Sequence, residues 1–339
     1  VVTQHSGEGK ANQYFLRGFN LDHGTDLAIT IDGMPVNMPT HGHGQGYADV
    51  NFLIPRTDQH HDGAQGTVFR RRRRLRFGRR ARHRISAGDA QEPRRGDGRQ
   101  LRLSPAARRR FDAGRRRHRL AAFEANTYNG PWDVPDNVRK LNGVLRYSQG
   151  TATDGFSLTG MAYSNRWTST DRVAQRAIDQ NLIGRYGSLD PTDGGTSSRY
   201  SLSGRFAKSS DLGQTDINAY VIRSSLQLYN NFTYFLDDPV NGDQFNQHDR
   251  RTVLGLNGTQ RFDYRFAGLP VETRVGLQTR SDTINVGLNK TYQRDWLSTV
   301  RADDVSRAVA RTVDRHHGAL DRLAAHHRRR AAGFFSPAG

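Results

Sequence analysis

His41-Gly42-His43 sets two imidazoles two residues apart on a glycine-flanked stretch, with Gln45 and Tyr47 following and His5 and His23 upstream. Imidazole is a common donor to Zn, Cu, Fe or Ni, so the pair could contact a metal ion carried by a ligand. The same rings could instead be hydrogen-bonding groups of a turn. Acidic pairs stand at Asp190-Pro191-Thr192-Asp193-Gly194 and at Asp237-Asp238. Neither has the spaced oxygen donors and closing Glu of a calcium loop, and a solvated loop is expected for each. The chain has no Cys, which excludes a thiolate metal site, a disulfide and a Cys nucleophile. It also has no G-x-S-x-G elbow, phosphate-cradling G-x-x-x-x-G-K-[ST] or H-E-x-x-H helix. The expectation is no catalytic residue, no resident metal, no cofactor and no enzyme.

The elements that would position these groups read as strands. Leu141, Gly143, Leu145 and Tyr147 share one face of a strand over 137–149, with Asn142 and Arg146 on the other. Phe156, Leu158, Gly160 and Ala162 alternate with Ser157, Thr159 and Tyr163, and Tyr200, Leu202, Gly204 and Phe206 with Ser201, Ser203 and Arg205. Further strands are expected around 217–221, 251–266 and 271–280. Short turns (150–154, 209–213, 267–269) alternate with long polar loops (about 167–198 and 230–249). That rhythm, with strands of about 9–11 residues or more, fits a membrane β-barrel. A soluble antiparallel sheet with one wet face gives the same alternation. No run of about 18 apolar residues is present to form a transmembrane helix.

Charge is confined to two stretches. Residues 56–120 hold 22 Arg, no Lys, five Asp and one Glu, a balance of +16, and 309–339 hold six Arg against two Asp, a balance of +4; the rest of the chain sums to −2, giving the net +18. Basicity that is all Arg is what GC-rich DNA yields out of frame, because most Arg codons begin with CG. Residues 56–78, back-translated with permitted codons and reread one base later, allow E-L-I-N-T-M-T-V-R-K-G-P-Y-F-A-D-E-G-D-F, which continues from Phe52-Leu53-Ile54-Pro55. The same shift over 319–335 allows R-W-T-D-W-L-R-T-T-V-G-V-R-Q-D-F. Both segments are expected to be frameshift products, and the Arg-rich stretches to be disordered. The paired histidines His60-His61, His316-His317 and His326-His327 lie within them and carry no site. The start at Val1-Val2-Thr3-Gln4 has no signal peptide, and truncation at both ends is expected.

Residues 1–55 are Gly-rich and unlike the strands that follow. The pair "FLRGF" (15–19) and "ITIDGMPVN" (29–37) resembles the plug domain of TonB-dependent outer-membrane receptors, and "THGHGQGYADVNFLIP" (40–55) resembles one subgroup of that family. The out-of-frame "V-R-K-G-P" is similar to a later plug strand. The resemblance implies an all-β membrane protein, a partial transmembrane antiparallel β-barrel preceded by part of a small α+β plug domain. It implies the outer membrane of a Gram-negative bacterium and energised uptake of a scarce nutrient, such as a ferric siderophore or another metal complex. Its partners would be outer-membrane lipid, the ligand and the TonB energy-transducing complex, through a TonB box missing from this chain. Arg17, Gly18, Asp32, Gly33 and Pro35 match the plug's structural motif. Arg17 and Asp32 would make hydrogen-bonded links within the plug or to the barrel wall. His41, His43, Gln45 and Tyr47 would lie at the plug apex, facing the ligand.

The expected domains are a plug over 1–55, an Arg-rich stretch over 56–120, barrel hairpins over 121–308 and an out-of-frame tail over 309–339. The alternative is a nucleic-acid-binding protein acting through 70–119. That stretch offers only Phe77 and Phe111 for stacking, and no nucleic-acid partner is expected.

Overall fold

From Leu120 onward each strand pairs with the next in the chain, as its period-two pattern demands. The computed structural model describes residues 2–3, 9–16, 19–20, 27–44, 46–54, 58–65, 79–85, 108–112, 117–169 and 173–318. Short strands come first: β1 (Val2–Thr3), β2 (Gln13–Leu16), β3 (Phe19–Asn20), β4 (Leu27–Ile31), β5 (Met34–Pro35), β6 (Asp58–Gln65) and β7 (Arg79–Ile85). β1 to β3 make one small antiparallel sheet. In a second, β4 pairs antiparallel with β5 and parallel with β7, and β6 lies outside β7. The large sheet comprises β8 (Arg108–Asp112), β9 (Arg117–Tyr128), β10 (Val138–Gly150), β11 (Gly155–Thr168), β12 (Gly194–Ser210), β13 (Gly213–Asn230), β14 (Phe245–Phe266), β15 (Leu269–Tyr292) and β16 (Asp295–Gly318). It is a nine-stranded antiparallel meander in chain order. One short helix, α1 (Gln175–Asp179), sits in the loop between β11 and β12.

The faces of this sheet are inverted relative to a water-soluble protein. Leu141, Leu145, Phe156, Leu158, Leu202, Phe206, Leu254 and Leu256 are exposed on the outer face, Leu145 to 67 %. The covered face carries Asn142, Thr159, Asn165, Ser197, Arg199, Asn218 and Arg251, all buried. Each large apolar side chain left in water forgoes about 1.5–3 kcal/mol of burial, and an apolar surface this extensive calls for an apolar surrounding. What covers the polar face is the N-terminal segment. Ile29, Ile31, Met34, Val36, Phe52 and Ile54 pack with Val144, Met161, Tyr163, Ile222 and Val253 in one core.

Several expectations need correction. The loop between β11 and β12 is 169–193, not 167–198, because the Gly/Ser/Thr run at 194–198 pairs with 164–168. β14 begins at Phe245 and β15 runs to Tyr292, so both exceed the expected strands. β16 was not anticipated. Its hairpin turns on Gln293 (φ 52) and Arg294 (φ 72), a pair that does not advertise the positive φ of the favoured hairpin turn. Arg294 is held there by its own contacts, donating to the carbonyls of Thr192 (2.5 Å) and Asp193 (3.0 Å). The described residues within 56–120 include the backbone of β6, β7, β8 and the start of β9, and residues 120 and 308 lie within β9 and β16. Backbone pairing requires no particular side chain, so composition does not forbid it. The regular elements among the described residues of 1–55 are the short strands β1 to β5.

The acidic loops are structured rather than simply solvated. Asp190 accepts from Asn231 Nδ2 (2.9 Å) and Gln244 Nε2 (3.2 Å), and Asp193 accepts the Asn231 backbone N–H (3.1 Å). Gln244 Oε1 in turn accepts Thr291 Oγ1 (3.0 Å) and the Arg294 N–H (2.8 Å), tying both long loops to the β15–β16 hairpin. Asp243 caps the backbone N–H groups of Leu236 and Asp238 at 2.8 Å each. Among the described residues no cluster of three or more metal-ligating side chains occurs.

Candidate functional site: the seam between the N-terminal segment and the large sheet

Asp32 and Gly33 (φ 47 and 81) form the turn between β4 and β5, the Asp-Gly signature of a type I′ hairpin. The turn is pressed against the sheet. Asp32 Oδ2 accepts from Arg146 Nη1 of β10 and from Thr159 Oγ1 of β11 (2.8 Å), and the Asp32 carbonyl accepts from Asn218 Nδ2 (3.1 Å). A Cβ on Gly33 would lie 2.5 Å from Asn218 Oδ1. Gly33→Ala therefore combines a left-handed backbone cost of about 1–2 kcal/mol with a steric clash. Urea titration in detergent should show a loss at or above that figure, whereas Gly258→Ala, whose Cβ meets nothing within 4 Å, should be far milder.

From this turn onward the chain is gripped at regular intervals. The Pro35 carbonyl accepts from Arg199 Nη2 of β12 (3.3 Å), the Asn37 carbonyl from Arg280 Nη1 of β15 (3.2 Å), and the Thr40 carbonyl from Arg251 Nη2 of β14 (2.5 Å). Arg199 also lies over the Phe52 ring at 4.5 Å. Together with Arg146, four wall arginines hold residues 32–40. Arg251 and Arg280 carry their own counter-ions two residues away on the same strand face. Arg251 is bidentate to Asp249 (2.8 and 2.6 Å), and Arg280 bonds Asp282 through two nitrogens at 2.7 Å each.

The histidine pair lies at the end of this strip. His41 is enclosed, its side chain 3 % exposed. It stacks on Tyr47 (ring centroids 4.2 Å apart, 9° between planes), with Nε2 3.8 Å from Asp249 Oδ1. The His43 N–H donates to His41 Nδ1 (3.2 Å), so the neutral His41 ring carries its proton on Nε2. Burial pushes His41 down to about 3, with Asp249 opposing and Arg251 adding to the depression. His43 Nδ1 lies 3.1 Å from Gln247 Oε1, and the Gly42 N–H donates to Asp249 Oδ2 (3.0 Å). Tyr47 is buried, and its hydroxyl accepts the Ala11 N–H (3.2 Å). Burial also raises Asp49 to about 6, against the N–H of Asn51 and the charges of Arg199 and Lys140.

Of the residues expected at the site, Asp32, Gly33 and Pro35 all fall on the seam. His41 and Tyr47 do as well, stacked on each other with His41 beside Asp249, while Asp249 and Arg251 hold the Gly42 N–H and the Thr40 carbonyl. Arg17, Gly18 and Gln45, with His5 and His23, lie outside the described residues. Sequence reading did not single out Arg199, Asp249, Arg251, Arg280 or Asp282. Opposite charges at i and i+2 of a strand share a face, and that was the available signal.

The fold is shared with proteins of known structure. The ferric citrate transporter FecA, in its unliganded form, superposes with a TM-score of 0.63 at 12 % identity, over 94 % of this chain and 48 % of its own. The copper transporter OprC gives 0.53 at 16 % identity, over 92 % and 47 %. The pyoverdine outer-membrane receptor FpvA from Pseudomonas aeruginosa PAO1, bound to pyoverdine, gives 0.54 at 9 % identity, over 94 % and 53 %. The fold is that of TonB-dependent outer-membrane receptors. The chain spans about half the length of each of these structures. No protein-family profile and no curated protein matches the sequence.

Proposed function

We propose that this chain is the plug and first wall strands of a TonB-dependent receptor in the outer membrane of a Gram-negative bacterium, serving energised uptake of a scarce metal complex such as a ferric siderophore. The observation that carries the reading is the inverted sheet: its apolar face is bare and its polar face is filled by residues 27–54. Short turns at one end and long, mutually bonded loops at the other give it an orientation, loops outward. In this reading His43 and Gln45 meet the ligand together with loops 169–193 and 231–244, while His41 and Tyr47 anchor the apex. The seam suits a plug that must move. Arg251 and Arg280 keep their wall carboxylates when the plug carbonyls leave, so release leaves neither cation without a counter-charge. Arg146, by contrast, loses its Asp32 partner, which favours return of the plug. TonB is the proposed source of the work.

The division at 55, 120 and 308, with both Arg-rich segments out of frame, belongs to this proposal. Sequencing the coding DNA tests it through an insertion or deletion near the codons of Pro55 and Leu120. For the receptor reading, the chain expressed behind a secretion signal should fractionate with the outer membrane and need detergent for extraction. Recovery from buffer alone would overturn it.

A further inference from the structure

On the outer face of β10 to β12 lies an apolar groove of about 710 Å³. Its floor is Gly143 and Gly160, and its sides are Phe123 and Leu145 against Tyr200 and Leu202. A Cβ at Gly143 would meet nothing within 4 Å. Pairing fixes what lies around it. Arg139 stands directly opposite Arg166, four residues from Gly143 and Ala162 toward the long loops. Arg223, opposite Tyr200, borders the groove, and Arg250 stands opposite Ser225 one strand further on. Strand alternation puts all four on the same face as the exposed Leu141, Val221 and Leu254.

These arginines are treated unlike those facing the plug. Inward, Arg146, Arg251 and Arg280 each have an aspartate. Outward, none of the four has a carboxylate partner among the described residues. Arg223 donates to Thr252 Oγ1 (2.9 Å), and in the row of Arg250 the outward acid Asp304 is bonded to Asn285, which stands between them. Like charges directly opposite across a strand pair are unfavourable, and an uncompensated Arg against lipid is destabilising to a degree that grows with depth. An anion bridging the guanidinium forks removes both penalties.

We propose that this face binds an acylated, phosphorylated glycolipid of the outer leaflet, an acyl chain in the groove and its phosphates on Arg139, Arg166 and the neighbouring Arg223. The proposal rests on the membrane reading above. Charge complementarity selects a phosphorylated headgroup, and the contiguous apolar trough selects a lipid over a free anion.

The test uses the full chain extracted in detergent and titrated with diphosphoryl lipid A, with the dephosphorylated lipid and with inorganic phosphate, bound lipid being counted by native mass spectrometry. The phosphorylated lipid should bind at least about tenfold more tightly than the dephosphorylated one. Arg139→Gln/Arg166→Gln should lose about that factor, and Arg139→Lys/Arg166→Lys should retain most of it. Gly143→Leu, which fills the groove without touching a charge, should also weaken binding. Equal binding by wild type and the Gln pair, indifference to the phosphates, or complete displacement by inorganic phosphate would each overturn the lipid site while leaving the barrel reading standing. A chain that is water-soluble without detergent sinks the barrel reading and this site with it.

Discussion

Asp249→Ala should destabilise the protein by about 3–5 kcal/mol, the cost of stranding a buried charge. Asp249 and Arg251 are each only 1 % exposed in their side chains, so water cannot replace the lost carboxylate. Removing it also takes the acceptor from the Gly42 N–H and the counter-charge from Arg251, which grips the Thr40 carbonyl. Because both groups lie at the seam, the loss should appear in the N-terminal segment first. Limited proteolysis should cut within 40–48 well before the wall strands, and urea unfolding in detergent should shift to a lower midpoint. The double variant Asp249→Ala/Arg251→Met removes the charge as well as its partner and should recover most of the loss. A single variant within about 1 kcal/mol of wild type would remove this pair from any account of how the plug is held.

Much of the wall was legible in the sequence. The outward residues of β10 to β13 alternate without interruption, and Asp32-Gly33 announces its own turn. The register beyond β14 was harder to read. Gln293-Arg294 is a turn only because Arg294 is pinned to Thr192 and Asp193, and those partners lie a hundred residues away in sequence. The run Gly194–Ser198 has the composition of a loop and the pairing of a strand, since a lumen-facing strand need not be apolar. The site was read less well than the fold. Spacing places His41 and His43 near one another but cannot say which ring turns toward the wall. That depends on Asp249 and Arg251, which meet the Thr40–Gly42 backbone only through long-range tertiary contact. Asp249 and Arg251, like Arg280 and Asp282, could be seen as pairs two apart on one strand face. What strand periodicity could not supply was that their free donor would meet a plug carbonyl.

Two partly buried groups, His41 and Asp49, should give the N-terminal segment a stability plateau in acid that neither would produce alone. His41 is held down to about 3 and Asp49 up to about 6, against ordinary values of about 6.5 and 3.9 in the unfolded chain. For His41 the folded state refuses a proton the unfolded state takes, so its contribution is full above pH 6.5 and is lost as pH falls toward 3. For Asp49 the folded state keeps a proton the unfolded state releases, so its contribution is full below the unfolded value and is lost as pH rises through 6. Between roughly pH 4 and 6 the two slopes, each up to about 1.4 kcal/mol per pH unit, oppose one another. Wild type should therefore unfold at nearly constant urea concentration across that window and weaken below it. His41→Phe keeps an aromatic ring to stack on Tyr47 and removes one titration, so this variant should gain stability as pH drops from 6 to 4. Asp49→Asn should do the reverse, losing stability steadily over the same interval. Parallel pH profiles for wild type and both variants would mean that neither group is buried as the seam requires, and that the apex is open to water before any ligand arrives.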